Sequence, residues 1–334
     1  MTRTLERVRW GIIGVGAVTE RKSGPAFQRI AGSELVAVMR RDGAKAADWA
    51  RRHGVERWYD DADALVADPE VDAVYVATPP DSHLEHALRA AAAGKPAYVE
   101  KPIARTAAEG EAMVSAFAAV GVPIFVAYYR RAQQRTATIA DLLASGAIGE
   151  VRAVSIRLLR PADPAESGPD RPWRVCPEIA GGGHFVDLAS HTLDLLDHLL
   201  GPVAHARGDA VTLGGRYEAE DTVAAQLTFA SGVLGSGLWC FDAASSADDV
   251  EILGTRGSLR FATFADEPLT LAGPDGVRQI PAPYPEVVQE PLVRTVVEEL
   301  TGRGTCPSTG ESALRTARVI DAVLAGHRSG LPGR

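Results

Sequence analysis

The chain is poor in cysteine: Cys176, Cys240 and Cys306 are far apart, odd in number and include no Cys-x-x-Cys pair. This argues against a disulfide framework and a thiolate-built zinc site, and implies reduced, structural thiols. Long apolar runs are missing too. Although 46% of the residues are hydrophobic, no run approaches the ~18 residues that cross a bilayer, so no membrane partner is expected. Concentrated basic stretches are also lacking. The net charge is −8, and Arg40-Arg41, Arg51-Arg52 and Arg130-Arg131 are isolated pairs. A nucleic-acid partner would need a dense Lys/Arg face and is not expected. Met1 to Arg9 is charged, with no apolar leader and no small-residue cleavage site, which suggests a cytoplasmic location.

What the chain does have is length and alternation. Its 334 residues exceed one ordinary core and suit two domains of ~150 residues each. Apolar runs at Val8–Ile13, Leu35–Met39, Ala73–Ala77, Ala97–Val99 and Ile124–Val126 alternate with helical patterns, the signature of a parallel α/β sheet. Ser82-x-x-Glu85 and Thr106-x-x-Glu109 have the capping-box form, and Gly94 and Gly121 stand where helices should stop. After Tyr128 the pattern changes. A helix (136–145), a strand (151–159), a Pro-rich loop (161–177) and a helix (183–200) precede period-two runs at 222–229, 232–239, 249–253 and 258–261. Such runs read as antiparallel hairpins. The expected division is residues 1–126 and 127–334, the second an α+β domain on a large, mostly antiparallel open sheet. The final helix, 311–327, is a candidate to pack back on the first domain.

Near the N-terminus, Trp10-Gly11-Ile12-Ile13-Gly14-Val15-Gly16-Ala17 feeds an apolar strand into closely spaced glycines. This is how a dinucleotide-binding turn begins: the glycines let the backbone approach a pyrophosphate, which then sits against Ala17 and Val18 at the start of the next helix. Thr19 stands where the full fingerprint has a third glycine or alanine, so packing there must differ. The alternative is a turn that is glycine-rich for structural reasons alone.

Two constellations carry chemistry. Glu100-Lys101-Pro102 ends a parallel strand, the edge at which ligands of such sheets bind. A lysine there can position a substrate oxygen or move a proton; otherwise it is a surface lysine. A cis Lys101–Pro102 bond is expected from the tight strand end. Further on, Asp187 and His191 follow Gly181-Gly182-Gly183 at helical spacing, so a carboxylate can orient an imidazole suited to general-base work. His184, Asp187, His191, Asp194 and His198 share one side of that helix, which also fits a solvated face or, less specifically, a metal stripe. No metal is expected. The three glycines suggest that something large approaches the backbone there.

Together, Gly14-x-Gly16, Ala77-Thr78-Pro79-Pro80-x-Ser82-His83, Glu100-Lys101-Pro102 and Gly182-Gly183-x3-Asp187-x3-His191 resemble the Gfo/Idh/MocA oxidoreductases over nearly the whole chain. Glu251-Ile252-Leu253-Gly254-Thr255-x-Gly257-Ser258-Leu259 resembles the family's second domain. The resemblance implies an N-terminal Rossmann domain, a C-terminal open sheet often used for homodimers or homotetramers, and hydride transfer at a nicotinamide held between them. It implies that Lys101, Asp187 and His191 are catalytic. Thr78, Pro79, His83 and Glu100 would line the cofactor side, and Tyr128, Trp173 and Arg174 the substrate side. The expected substrate is a sugar, polyol or small diol.

Cofactor choice is read at Val38-Met39-Arg40-Arg41-Asp42, where an acid binding the ribose hydroxyl of NAD would end the second strand. Arg40 and Arg41 suit a 2′-phosphate instead, so NADP is expected over NAD, with Asp42 keeping NAD open. The rival functions are an NAD-dependent glycosidase working by transient oxidation and a non-catalytic dinucleotide-binding regulator.

Overall fold

The computed structural model describes residues 4–330. The chain packs as two units: residues up to Gln133 with Pro285–Leu314, and Gln134–Tyr284 with the residues from Arg315 on. Contacts therefore divide the chain at Gln133 rather than at 126, and the division is discontinuous. The final helix, Gly310–Arg328, contributes its first five residues to the first unit and the rest to the second.

The first unit is built on six parallel strands: β1 (Val8–Ile13), β2 (Ser33–Met39), β3 (Arg57–Tyr59), β4 (Ala73–Val76), β5 (Ala97–Val99) and β6 (Ile124–Val126), in the order β3-β2-β1-β4-β5-β6. The order reverses at β1, so the crevice at the C-terminal ends of β1 and β4 is the switch point where ligands bind in such sheets. Strands β4, β5 and β6 are buried throughout, as sheets covered on both faces require. Helix Glu290–Leu300 of the returning segment buries Leu292, Val293, Val296 and Val297 in the same core. Thr106 caps helix Ala107–Val120 through the Glu109 N–H at 3.2 Å. Ser82 does not cap: a 3-10 turn, Pro80–Ser82, runs straight into helix His83–Ala92, and the Ser82 hydroxyl donates to Pro79 O instead.

The second unit carries β7 (Val151–Leu159), β8 (Val203–Val211), β9 (Thr222–Phe229), β10 (Leu234–Cys240), β11 (Ala247–Gly254), β12 (Ser258–Phe261), β13 (Leu269–Gly273) and β14 (Gly276–Ile280). Their order is β14-β13-β12-β11-β7-β10-β9-β8, antiparallel except for β7 beside β10. One face packs on helices through Ile139, Leu193, Leu196, Ile320 and Val323. Along β10 and β11 the opposite face shows Leu234, Leu238 and Leu253 at 59%, 43% and 39% exposure. Leu234 and Leu253 both lie in register with Ala153, forming one apolar rung. No helix among the described residues is long and apolar enough to cross a membrane.

Candidate functional site

On the first unit the turn after β1 is shaped by its neighbours. Gly14 has φ +96°, and a Cβ there would lie 2.6 Å from Thr78 Cγ2. Only glycine therefore lets the β1 and β4 loops meet. A Cβ on Gly16 would meet nothing nearer than Gly14 O at 4.0 Å, so the backbone there fronts open space. Thr19 replaces the third glycine by closing the turn itself: its buried hydroxyl accepts from Gly16 N and donates to Gly16 O, both at 2.9 Å. Close packing passes to Gly24, where a Cβ would lie 2.0 Å from Thr19 O. Thr78 Oγ1 is buried with no hydrogen-bond partner among the described residues. The open Gly16 backbone, together with this hydroxyl on the loop packed against Gly14, fits a dinucleotide phosphate.

Arg40 lies against the same turn, its Nη1 donating to Val15 O at 3.2 Å, and Arg41 is exposed. The Asp42 carboxylate caps helix Gly43–His53 through Lys45 N at 3.1 Å and pairs with Lys45 Nζ at 3.1 Å. Those bonds hold its carboxyl below the usual pKa. Pro79 leads into the 3-10 turn. His83 is fully buried, with Nδ1 3.0 Å from Pro102 O and Nε2 2.8 Å from Thr78 O. Its ring braces the loops after β4 and β5 from behind.

The Lys101–Pro102 bond is cis. Glu100 is directed inward. Its Oε1 accepts from Tyr75 OH (2.6 Å) and Gln289 Nε2 (2.7 Å), and its Oε2 accepts from Lys101 N (3.2 Å). Tyr98 OH donates to Gln289 Oε1 at 3.0 Å. Burial, with Glu100 beside it, pushes the Tyr75 phenol well above its usual pKa, so it remains a donor. This network fixes the backbone from which Lys101, half-buried, emerges. Sequence reasoning missed Gln289, which carries no motif and arrives from 189 residues further along the chain. Tyr128 is buried just beyond β6, at 1% exposure.

On the second unit, Asp187 lies in a π-helical turn, Phe185–Ala189, that continues as helix Ser190–Leu200. Such turns are rare and recur at functional sites. The solvated-face reading holds only at the end of the stripe, where His198 is exposed; within it His191 and Asp194 are 4% and 1% exposed, and the neighbouring Asp197 is 6% exposed. Asp197 accepts both arms of Arg315, at 2.9 and 2.7 Å. Asp187 is met by Arg174 Nε at 3.3 Å, and the Arg174 guanidinium lies over the Trp173 ring, 4.4 Å from its centroid. Trp173 and Arg174 thus reach the Asp187 turn. The His191 ring meets Phe264 edge-on, with centroids 5.7 Å apart. Among the described residues no three His, Cys, Asp or Glu side chains gather as a metal site.

The glycine triplet is closely approached, as expected, but from within the chain. A Cβ on Gly183 would lie 2.7 Å from Glu220 O, and one on Gly182 would lie 2.5 Å from Val186 Cγ2 and 3.0 Å from Glu220 Oε1. What approaches is the chain's own Glu220 segment. The Glu220 carboxylate accepts from Gly183 N at 2.8 Å, tying down the start of the turn that holds Asp187. Burial raises its pKa to about 7. Nothing in the sequence around Glu220 marks it out.

A parallel sheet with this switch point, feeding a glycine turn with an open backbone and a lysine at a strand end, defines a dinucleotide-binding oxidoreductase. Residues 8–128 match the oxidoreductase family with the NAD-binding Rossmann fold, and residues 136–260 match the GFO/IDH/MocA C-terminal domain. The chain belongs to the Gfo/Idh/MocA oxidoreductase family. It is 37% identical to Oxidoreductase P35 of Formosa agariphila over 316 residues, 94% of this chain and 98% of that one. It is 30% identical to a D-apiose dehydrogenase of Paraburkholderia graminis over 98% of this chain and 90% of that one. A levoglucosan dehydrogenase solved with NADH and L-sorbose superposes with a TM-score of 0.87 at 25% identity, covering 98% of each chain. Dinucleotide binding and oxidoreduction at a CH–OH group are thereby the chain's activity class.

Proposed function

We propose that the protein is an NADP-preferring dehydrogenase or reductase acting on a hydroxyl or carbonyl carbon of a sugar, polyol or small diol. The carrying observation is Lys101, held at the C-terminal edge of the parallel sheet by the buried Glu100–Tyr75–Gln289 network. The dinucleotide rests on Gly14, Gly16, Ala17, Val18, Thr78 and Pro79. When bound, its nicotinamide supplies the hydride acceptor or donor. Lys101 hydrogen-bonds the reacting oxygen, His191 takes the hydroxyl proton as the carbon loses hydride, and Asp187 orients His191. Trp173 and Arg174 face the rest of the substrate, whereas Tyr128, expected on that side, is buried in the first unit and packs there instead. A sugar-like substrate also accords with the names of the relatives.

NADP preference is supported by the occupied Asp42 carboxylate and by Arg40 beside the glycine turn. Calorimetry of the cofactor-free protein should show tighter binding of NADPH than NADH, and Arg40→Asp should reverse the order by at least about tenfold. An unchanged affinity ratio would return the preference to NAD. Turnover of a sugar and polyol panel with the preferred dinucleotide then tests the reaction itself.

The open sheet face supports a homodimer or homotetramer, since the Leu234–Ala153–Leu253 rung and Leu238 leave apolar surface uncovered. Sedimentation should give an assembly, and Leu234→Glu should shift it toward monomer. A parent chain that sediments as a monomer at every concentration would remove this part of the reading.

A further inference from the structure

One buried hydroxyl just past the glycine turn takes no part in the chemistry above. After Gly16 the chain forms two short helices, Ala17–Arg21 and Gly24–Arg29, and Ser23 stands at the break between them. Pro25, in the first turn of the second helix, has no N–H to continue the first. A serine in this position usually turns its side chain onto the free backbone N–H groups of the helix it opens. Ser23 does not. Its side chain makes no capping bond, and the residue is fully buried.

Ser23 Oγ lies 3.0 Å from the Tyr75 hydroxyl oxygen instead, and that hydroxyl lies 2.6 Å from Glu100 Oε1. A phenol has one proton to give. The shorter, charge-assisted contact with the carboxylate takes it, which leaves Ser23 as the donor to the Tyr75 oxygen. On its other side Ser23 N donates to Val18 O at 3.3 Å, beside Lys22 N on the same carbonyl at 3.0 Å. Val18 belongs to the helix whose N-terminus, at Gly16, fronts the open space offered to the phosphate. At the far end Lys101 N donates to Glu100 Oε2 at 3.2 Å. An unbroken path of four hydrogen bonds, all within the first unit, therefore runs from Val18 through Ser23, Tyr75 and Glu100 to the backbone of Lys101. The Tyr75 ring is wedged between Phe27 and Tyr98, with centroids 5.1 Å from each, which fixes where its hydroxyl points. In so dry a setting each of these bonds is strong and each orphaned partner costly.

We propose that Ser23 is a positioning residue: through Tyr75 and Glu100 it locks the backbone of Lys101 to the helix that receives the dinucleotide, so that lysine and nicotinamide keep one spacing. Lys101 meets the reacting oxygen on the dehydrogenase reading, and the positioning role rests on that reading. The test measures kcat, KM and dinucleotide Kd for the full-length parent, Ser23→Ala, Lys101→Met and the double variant. The assay uses the preferred dinucleotide and whichever member of a sugar and polyol panel the parent turns over fastest. Ser23→Ala should lower kcat about tenfold and leave the dinucleotide Kd within about threefold, since the phosphate turn keeps its own contacts. In the Lys101→Met background the same change should lower kcat no further, because a residue that acts only through Lys101 has nothing left to position. A merely structural serine would cost the same factor in both backgrounds. Tyr75→Phe, which keeps the ring and removes the hydroxyl, should reproduce this pattern, and it carries the test if melting profiles show that Ser23→Ala does not fold. An unchanged kcat in the folded variant, or losses that multiply in the double variant, overturns the positioning role and leaves Lys101 in place. Full activity in Lys101→Met, or a parent that turns over no member of the panel, overturns the dehydrogenase reading and the positioning role with it.

Discussion

Lys101→Met should lower kcat about a hundred- to ten-thousand-fold while leaving the dinucleotide Kd within about threefold. The asymmetry follows from geometry. The backbone at Lys101 is set by the Glu100 carboxylate, which bonds Tyr75, Gln289 and the Lys101 N–H. Removing the ammonium leaves that network and the Gly14–Gly16 turn untouched. On the proposed role, what is lost is a donor to the reacting oxygen, whose partial charge grows in the transition state. Stopped-flow turnover alongside calorimetric dinucleotide binding separates the two effects. Full activity in this variant would refute the role, and an equal loss of cofactor binding would reduce Lys101 to a structural residue.

The second large effect concerns stability. Burial raises the Glu220 carboxyl from an ordinary 4.5 to about 7, against the opposing pull of the Gly183 N–H group. The folded state therefore keeps a proton that the unfolded chain has already released. Its stabilising contribution is complete below pH 4.5, falls as pH rises, and is gone above about 7. The span is worth about 3 kcal/mol, an order-of-magnitude figure. Glu220→Gln keeps an acceptor facing Gly183 N and removes the titration. The variant should thus match the parent near pH 4.5 and melt several degrees higher at pH 8. Melting curves across that range decide it. A variant less stable than the parent at pH 8 would mean that the ionised carboxylate, through its backbone bonds, stabilises the fold.

Much of this was legible in the chain. Strands β5, β6, β9 and β12 fall at the residues the apolar runs suggested, because burial on one or both faces writes itself into composition. The glycine turn and the lysine at the end of β5 were readable for a similar reason: each needs a particular residue type at one place. Short or polar pieces were not legible. Strand β3 has three residues, and β14 is exposed along most of its length. The helical stripe through Asp187, His191 and Asp194 fitted a solvated face as well as a catalytic pair because its spacing says which side chains share a face, not what covers it. Glu220 and Gln289 could not be found from pattern at all, since each acts on a segment far away in sequence. Conversely, His83 and Glu100 stand in recognisable motifs, yet the structure turns both inward, onto backbone carbonyls and a buried tyrosine–glutamine network.

The return of residues 285–314 to the first unit bears on how such proteins can be recombined. That segment supplies Val287, Leu292, Val293, Val296, Val297, Leu300 and Cys306 to the core behind the parallel sheet, and Gln289 to the carboxylate beneath Lys101. A chimera made by a single crossover near residue 133 would pair one parent's sheet with the other parent's filling, while a crossover pair that also carries 285–314 would keep both together. Exchange of cofactor-binding halves among relatives is thus a matter of transplanting two stretches of gene at once.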